Sequence, residues 1–473
     1  MRRFVATGIA LLLLGACAKE AAPPPAPKPV PGPPNVVFVV GDGFGVGAWT
    51  LARGLARTRG QELALETAPR LGFLDTRAGD ALVTDSAAAA SAWSIGELVS
   101  IHHVGRPGAE PLGRTLLRAG RPFGFVTTAR VTDATPAPFY GTVSDRWDAE
   151  EDLVPQLVEA RCTVALGGGR ERFVGKDGGG TRRADDVDWL ARAEAESIAV
   201  QLQFSDPLPV DRPVIGLYAA GHLPHELDRT EEPELADMAR AAIRRLRAEG
   251  RPWFLLVEES HTDTACHDHD GPSVAHDGLR LDRAISAILC EVDLDSTLVV
   301  LLADHATDSP AFLEWAHPES LDVVSMSVER METRIFSGPW RGTPRALEAK
   351  ALPVLDEGAR QTGLTSGDID RLLVAESGYD RRTALGDAIS RRLGISFIAY
   401  EDHLASSQVH GHTGELVPIR AWGRGAEAVL GIHRHDEIGR WLREVLEVGG
   451  AAEAGMESAG AAESTAVVSP PEG

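Results

Sequence analysis

Three short apolar runs of the 473-residue chain each release an acid at the same relative place. Asp42 follows Val36–Val40 as VVGDG, Glu258 follows Trp253–Val257 as LLVEE, and Asp304 follows Leu298–Leu302 as LLADH. Residues 257–270 read VEESHTDTACHDHD and add Asp263 and His267 to a segment with three aspartates, two glutamates and three histidines. Such a loop, taken alone, reads equally well as a solvated one. Together, however, Asp42, Glu258, Asp263 and Asp304 cannot all ionise in a partly dry site without cations. His267, His305 and His412 supply the nitrogen donors that zinc accepts. Mixed Asp/His ligation arriving from several strand ends suits a two-metal site, where paired cations stabilise the attacking and leaving oxygens of a phosphoryl transfer. The segment VTDSAAAA sets Ser86 between Asp85 and the run Ala87–Ala90. The alanines favour a helix beginning at Ser86, which aims backbone N–H groups and the helix dipole at the serine oxygen. A serine that merely caps the helix gives the same local sequence.

These side chains need a frame. Val36–Val40, Phe123–Val126, Thr163–Leu166, Trp253–Val257 and Leu298–Leu302 are apolar without alternation, the pattern of strands buried on both faces. Between them Leu235, Met238, Ala239, Ala242, Ile243 and Leu246 recur at helical spacing. The alternation predicts an α/β fold, a large mostly parallel sheet covered by helices on both faces. In such sheets functional groups gather beyond the carboxyl ends of the strands, where the acids stand.

Lys plus Arg number 47 against 69 for Asp plus Glu, a net charge of −22 that argues against nucleic-acid binding. It does not exclude phosphate-bearing substrates, because bound metals reverse the local sign. With 43% hydrophobic and 25% charged residues, the chain is no disordered, collagenous or polytopic membrane protein. Four cysteines are too few for a disulfide framework. Arg2 and Arg3, the apolar stretch Phe4–Leu14 and the small pair before Cys17 make a secretory signal, too short to span a bilayer. Leu14-Gly15-Ala16-Cys17 resembles the bacterial lipoprotein box, which implies cleavage before Cys17 and lipid on its sulfur; Ala18 then favours the outer membrane. The expected organisation is a signal peptide at 1–16, a proline-rich tether at 17–34, a body at 35–448 and a disordered tail at 449–473. The protein is expected to be exported and lipid-anchored, facing the periplasm or the surface.

In order along the chain, VVGDG, VTDSAAAASAW, TTARVTDATPAPFYGTVSDR, LGGG, LVEESHTDTACH, LLADHATDS and GHTGE resemble the alkaline phosphatases, the metal-dependent members with a serine nucleophile. The resemblance implies two zinc ions and one magnesium ion, with small phosphorylated substrates. It makes Ser86 the residue that becomes phosphorylated. It gives one zinc to Asp42, Asp304 and His305, and the other to Asp263, His267 and His412. Glu258, Thr135 and the bridging Asp42 hold magnesium, and Asp133 holds a water on it. Arg146 grips two phosphate oxygens, with Asp85 beside it on the substrate side. Many relatives are dimers, so a homodimer is expected as well. Two readings compete with a phosphomonoesterase: a phosphodiesterase on the same metal core, and a catalytically silent metal- or phosphate-binding lipoprotein. Arg146 favours the monoester, whose extra charged oxygen it neutralises.

The chain departs from the family pattern in places. Glu259 and Ser260 stand where relatives have small residues, and Thr264 where many place a Lys, His or Trp. Asp133 replaces a histidine common among relatives; with Thr135 and Glu258 it makes an all-oxygen set that favours magnesium. Residues 311–383 read as an insertion with helical character over Arg360–Ala375, expected to shape access, make a dimer contact or form an accessory knob. His261, His269 and His410 read as supporting or surface groups, and His102, His103, His433 and His435 as solvated. Cys162 and Cys290 read as small core residues, and Cys266 adjoins His267.

Overall fold

The computed structural model describes residues 32–175, 185–337, 344–364, 368, 377–398 and 409–448. The signal peptide, Cys17, most of the proline-rich stretch and the C-terminal tail lie outside the described residues. The five apolar runs form strands of one sheet. In chain order it begins with β1 (Asn35–Gly41), β2 (Arg70–Asp75), β3 (Phe123–Arg130), β4 (Val164–Gly168), β5 (Ala199–Gln201), β6 (Val214–Leu217), β7 (Phe254–Glu259) and β8 (Thr297–Leu302). Four short strands make two small ribbons: β9 (Ala306–Thr307) pairs with β12 (His412–Thr413), and β10 (Ala311–Phe312) with β11 (Ile395–Ser396). The chain then returns to the main sheet as β13 (Val417–Gly423) and β14 (Ile432–Arg434).

The ten strands lie in the order β14-β2-β13-β8-β1-β7-β3-β4-β6-β5. All pairs are parallel except those of β13, which runs against both β2 and β8. Helices cover both faces. Phe38 meets Trp93 of the helix Ser86–Ile95, ring centroids 5.3 Å apart, while Gly41, of opposite parity, lies against Leu281 of the helix Gly271–Glu291. This double cover buries β1, β7 and β8 and explains why they read as unbroken apolar runs.

Register brings the acids to one edge. Val40 lies beside Glu258 on one flank and Leu302 on the other, so Asp42 and Asp304 each stand two residues beyond the matched pair Val40 and Leu302. Thr127 of β3 lies beside Glu258 on the far side of β7.

The inserted region is helical: its described helices are Val328–Phe336, Pro344–Gly358 and Gly378–Arg392, the last running past residue 383. Within the expected Arg360–Ala375 span the described residues show a turn at Arg360–Thr362 and a helical Asp368; residues 365–367 and 369–376 lie outside the described residues. Two local signals set the other helices. Leu347, Ala351, Val354 and Leu355 bury one face of the earlier helix. Ser377 and Asp380 form a capping box that starts the later one. Cys162 and Cys266 are buried and unpaired, whereas Cys290 is exposed near the end of the helix Gly271–Glu291, not in the core. Among the described residues no helix is long and apolar enough to cross a membrane.

Candidate active site

The helix Ser86–Ile95 is capped by Asp85, whose Oδ1 accepts from the backbone N–H of Ala88 at 3.0 Å. Ser86 is therefore the first helical residue and carries no capping duty, which corrects the capping reading of its sequence. Buried at the N-terminus, its Oγ lies 3.3 Å from Nε2 of His305. A second helix, His435–Val445, crosses so closely that a Cβ on Gly439 would stand 2.1 Å from the carbonyl oxygen of Ala92.

Around Ser86 the strand-end acids and histidines converge. His305 Nε2 lies 3.6 Å from Asp42 Oδ1 and 3.2 Å from Asp304 Oδ2. Asp304 Oδ1 accepts from the backbone N–H groups of Gly43 and His305, leaving Oδ2 for the cluster. Asp263 faces His267 Nε2 at 3.3 Å and His412 Nε2 at 3.8 Å. His412 donates its Nδ1–H to the carbonyl of Thr84 at 2.9 Å, which fixes a bare Nε2 toward Asp263. Potential ligand atoms of Asp263, His267 and His412 lie within 4.8 Å of one another, and so do those of Asp42, Asp263 and His305. Asp263 thus belongs to both groups.

Several supporting residues escaped the sequence reading. Thr307 donates to Asp263 at 2.6 Å and lies 3.1 Å from His305 Nδ1, and Thr127 donates to Glu258 Oε2. His435 is a correction: expected in solvent, it is wholly buried. Its Nδ1 accepts from Trp93 Nε1 at 2.9 Å, so its Nε2–H donates to the Asp304 carbonyl at 2.8 Å. His261 is buried against His225, and His269 hydrogen-bonds Asp387 at 2.8 Å; neither belongs to a ligand group. His410 lines the cavity above the cluster.

The electrostatics of this pocket call for cations. Burial, then the charges of Asp304, Asp263 and Glu258, push Asp42 well above the carboxylate range. Burial lifts Glu258 to about 8, and burial with Asp263 lifts Asp304 to about 7. Burial also pushes His305 well below, and His412 down to about 4. His305 and His412 are held neutral, as metal ligands must be. At His267 burial is overcome by the Asp263 charge and hydrogen bond, which raise the ring to about 9, a proton that a metal would displace. Asp42, Glu258 and Asp304 lack compensation. Buried Asp42 Oδ1, Thr135 Oγ1, His267 Nδ1 and Asp304 Oδ2 make no hydrogen bond. Orphaned donors in a mixed Asp/His/Thr set fit resident metal ions.

Opposite the cluster stands Arg146, 3.5 Å from Asp85 Oδ2 and 3.3 Å from Asp133 Oδ1, with its guanidinium over the Trp147 ring at 4.5 Å. Asp133 is clasped from the other side by Arg130 at 3.1 Å and lies 3.6 Å from His222. Burial opposes ionisation of Asp133, yet Arg130, His222 and Arg146 hold it below the usual range. The cavity of about 620 Å³ is lined by Asp42, Ser86, Arg146, Glu258, Thr264 and His412, with Tyr379 and Arg382 from the insertion also in its wall. The insertion therefore contributes to the cavity.

A sheet with acids at one edge, a serine at a helix N-terminus and a facing arginine define a phosphoryl-transfer class of enzyme. The alkaline phosphatase family model matches residues 34–314, and the chain belongs to the alkaline phosphatase family. It is a phosphatase of that type, acting on phosphate monoesters. Alkaline phosphatase 3 of Bacillus subtilis is 26% identical over 437 residues, covering 87% of this chain and 89% of that protein. Streptomycin-6-phosphate phosphatase of Streptomyces griseus is 29% identical over 392 residues, 69% of this chain and 85% of that one. The crystal structure of Thermus thermophilus alkaline phosphatase matches with a TM-score of 0.78 at 25% identity, over 93% of this chain and 96% of that chain.

Proposed function

We propose that the chain hydrolyses phosphate monoesters in two displacements through a covalent phosphoserine at Ser86, with two zinc ions and one magnesium ion. Asp42, Asp304 and His305 would hold the zinc nearest Ser86, and Asp263, His267 and His412 the other. Glu258, Thr135 and Asp42 would hold magnesium, with Asp133 on one of its waters. Cations bound there lower the pKa of hydroxyl and water ligands and neutralise charge on the apical oxygens. Ser86 Oγ attacks phosphorus and the bond to the leaving-group oxygen breaks; water then attacks the phosphoserine and frees phosphate. Two inversions retain configuration at phosphorus. Arg146 grips equatorial oxygens in its planar fork, and Asp85 and Asp133 hold that fork in place.

One observation carries this reading: Asp85 caps the helix, so Ser86 Oγ is uncommitted and faces His305. The all-oxygen character of Glu258, Thr135 and Asp133 supports magnesium over zinc at the third position. Incubation with labelled inorganic phosphate at acid pH, followed by peptide mapping, should place the label on Ser86. A phosphoenzyme that survives in Ser86→Ala, or none in the active wild type, overturns the reading. The leader sequence supports export and lipid attachment at Cys17, with the enzyme facing the periplasm or the surface. Labelled palmitate should enter the wild type and not Cys17→Ala.

A further inference from the structure

The helix Gly378–Arg392 begins within the expected insertion, runs past its end at 383 and lies directly on the turn that follows His267. A Cβ on Gly386 would stand 1.9 Å from the Asp268 carbonyl oxygen, so glycine permits this approach. Arg382 Nε donates to Asp268 at 2.8 Å, Thr383 Oγ1 to the His267 carbonyl at 3.3 Å, and Ser390 Oγ to the His269 carbonyl at 2.7 Å. From the same helix Asp387 reaches His269 Nδ1 at 2.8 Å, and Phe397 stacks on the His269 ring at 4.8 Å.

Beyond His269 stands Asp308, with Oδ2 3.8 Å from His269 Nε2 and 3.9 Å from His267 Nδ1. That Nδ1 is buried and makes no hydrogen bond, while His267 Nε2 faces Asp263 and the ligand group. A metal-binding histidine characteristically donates its other N–H to a carboxylate, which sets its orientation and basicity. Asp308 is placed for that task. Its backbone is pinned by Gly411 and Ile398 at 2.9 and 2.8 Å, and its carboxylate lies where a Cβ on Gly411 would intrude at 2.5 Å. Asp308 and His269 both hold positive φ, 45° and 53°, a conformation that persists where surroundings over-determine it.

We propose that Asp308, held through His269 and Asp387 by the helix Gly378–Arg392, is the positioning residue for His267 and sets the affinity of the second metal position. The inference rests on the proposed ligand set. It gives that helix a role in metal retention.

The test uses the full chain as wild type, Asp308→Asn and Asp387→Asn. Asparagine keeps the shape and tolerates positive φ, so the fold is preserved. Zinc affinity is read by competition with a chromophoric chelator, coordination by the visible spectrum of the cobalt-substituted protein, and kcat and KM on an aryl phosphate. Asp308→Asn should weaken one zinc position about 10- to 100-fold and alter the cobalt spectrum. At limiting zinc its kcat should fall and return with excess zinc, while KM changes by less than about twofold. Asp387→Asn should weaken the same position by a smaller factor. Should Asp308→Asn fail to fold, Asp387→Asn decides. Zinc titrations of the variants that superimpose on a zinc-binding wild type overturn the brace alone. A wild type that binds no zinc overturns the ligand assignment beneath it.

Discussion

Asp85 ties Arg146 to the start of the Ser86 helix: one carboxylate oxygen takes the Ala88 N–H at 3.0 Å, the other lies 3.5 Å from Arg146 Nη1. Cap and proposed phosphate grip thus share a side chain, and substitution can separate them. Asparagine caps as well as aspartate but carries no charge. Asp85 Oδ2 also accepts the His102 backbone N–H at 3.2 Å, which the asparagine NH2 cannot do, so Asp85→Asn should lower the melting temperature slightly and raise the inhibition constant for inorganic phosphate several-fold. Asp85→Ala should add a loss of about 1 kcal/mol of stability. Thermal melts and product-inhibition kinetics on the two variants check both parts.

Ser86 has no structural duty that alanine cannot fill. Ser86→Ala should lower turnover of an aryl phosphate by at least about 10³-fold. Its zinc content and melting temperature should match the wild type. A variant that keeps a tenth of the activity speaks against the nucleophile, and one that also loses metal shows that the hydroxyl is a ligand in its own right.

Removing metal should act on the fold as well as on activity. Asp42, Glu258 and Asp304 are buried and uncompensated without cations. Treatment with a chelator should abolish turnover and lower the melting temperature, and zinc with magnesium should restore both. Calorimetric scans before and after re-addition measure this. An apo protein as stable as the holo form would mean the carboxylates have another counter-charge.

Away from the metals, His225 donates its Nδ1–H to Asp277 at 2.7 Å in a buried pair. Burial works against its charged form, but the Asp277 charge and hydrogen bond overcome it and raise His225 to about 10. The folded value lies above the ordinary 6.5, so the charged ring adds stability that is complete below about 6.5 and lost as pH rises through about 10. His225→Gln should destabilise the protein near neutrality, and the gap to wild type should narrow between pH 7 and 10. Denaturant midpoints over that range give the answer, and a gap that widens with pH contradicts it.

The sheet and the strand-end acids were legible because both announce themselves locally. An unbroken apolar run such as Leu298–Leu302 signals double burial, and an acid at its end needs a reason. The structure brings Asp42, Glu258, Asp263, Asp304, His267, His305 and His412 into one pocket. What stayed hidden depends on pairing across the chain. Nothing in GIHRHDEIG separates buried His435 from its solvated neighbours, because the burial comes from Trp93, 342 residues away. Asp308 and Thr307 acquire their contacts through the β9–β12 ribbon and the inserted helix. Thr307, two residues after His305, was nonetheless within reach of a reading that treated each acid as needing a donor. The helix Gly378–Arg392 starts on a capping box at Ser377 and Asp380, a signal that apolar periodicity does not carry.

The placement of β13 has a consequence for how the enzyme is made. The segment carrying Ser86 leaves β2, which is flanked by β13 and β14 and reaches β8 and β1 through β13. That strand is synthesised more than 300 residues after Ser86. A nascent chain can align β1, β7 and β8, with Asp42, Glu258 and Asp304, and can rest the Ser86 helix on β1 through Phe38 and Trp93, while β2 still lacks its partner. The strand that leads into the Ser86 segment is therefore anchored last, and a fragment ending before Val417 is expected to lose activity even though it retains Ser86, the acids and all three histidines.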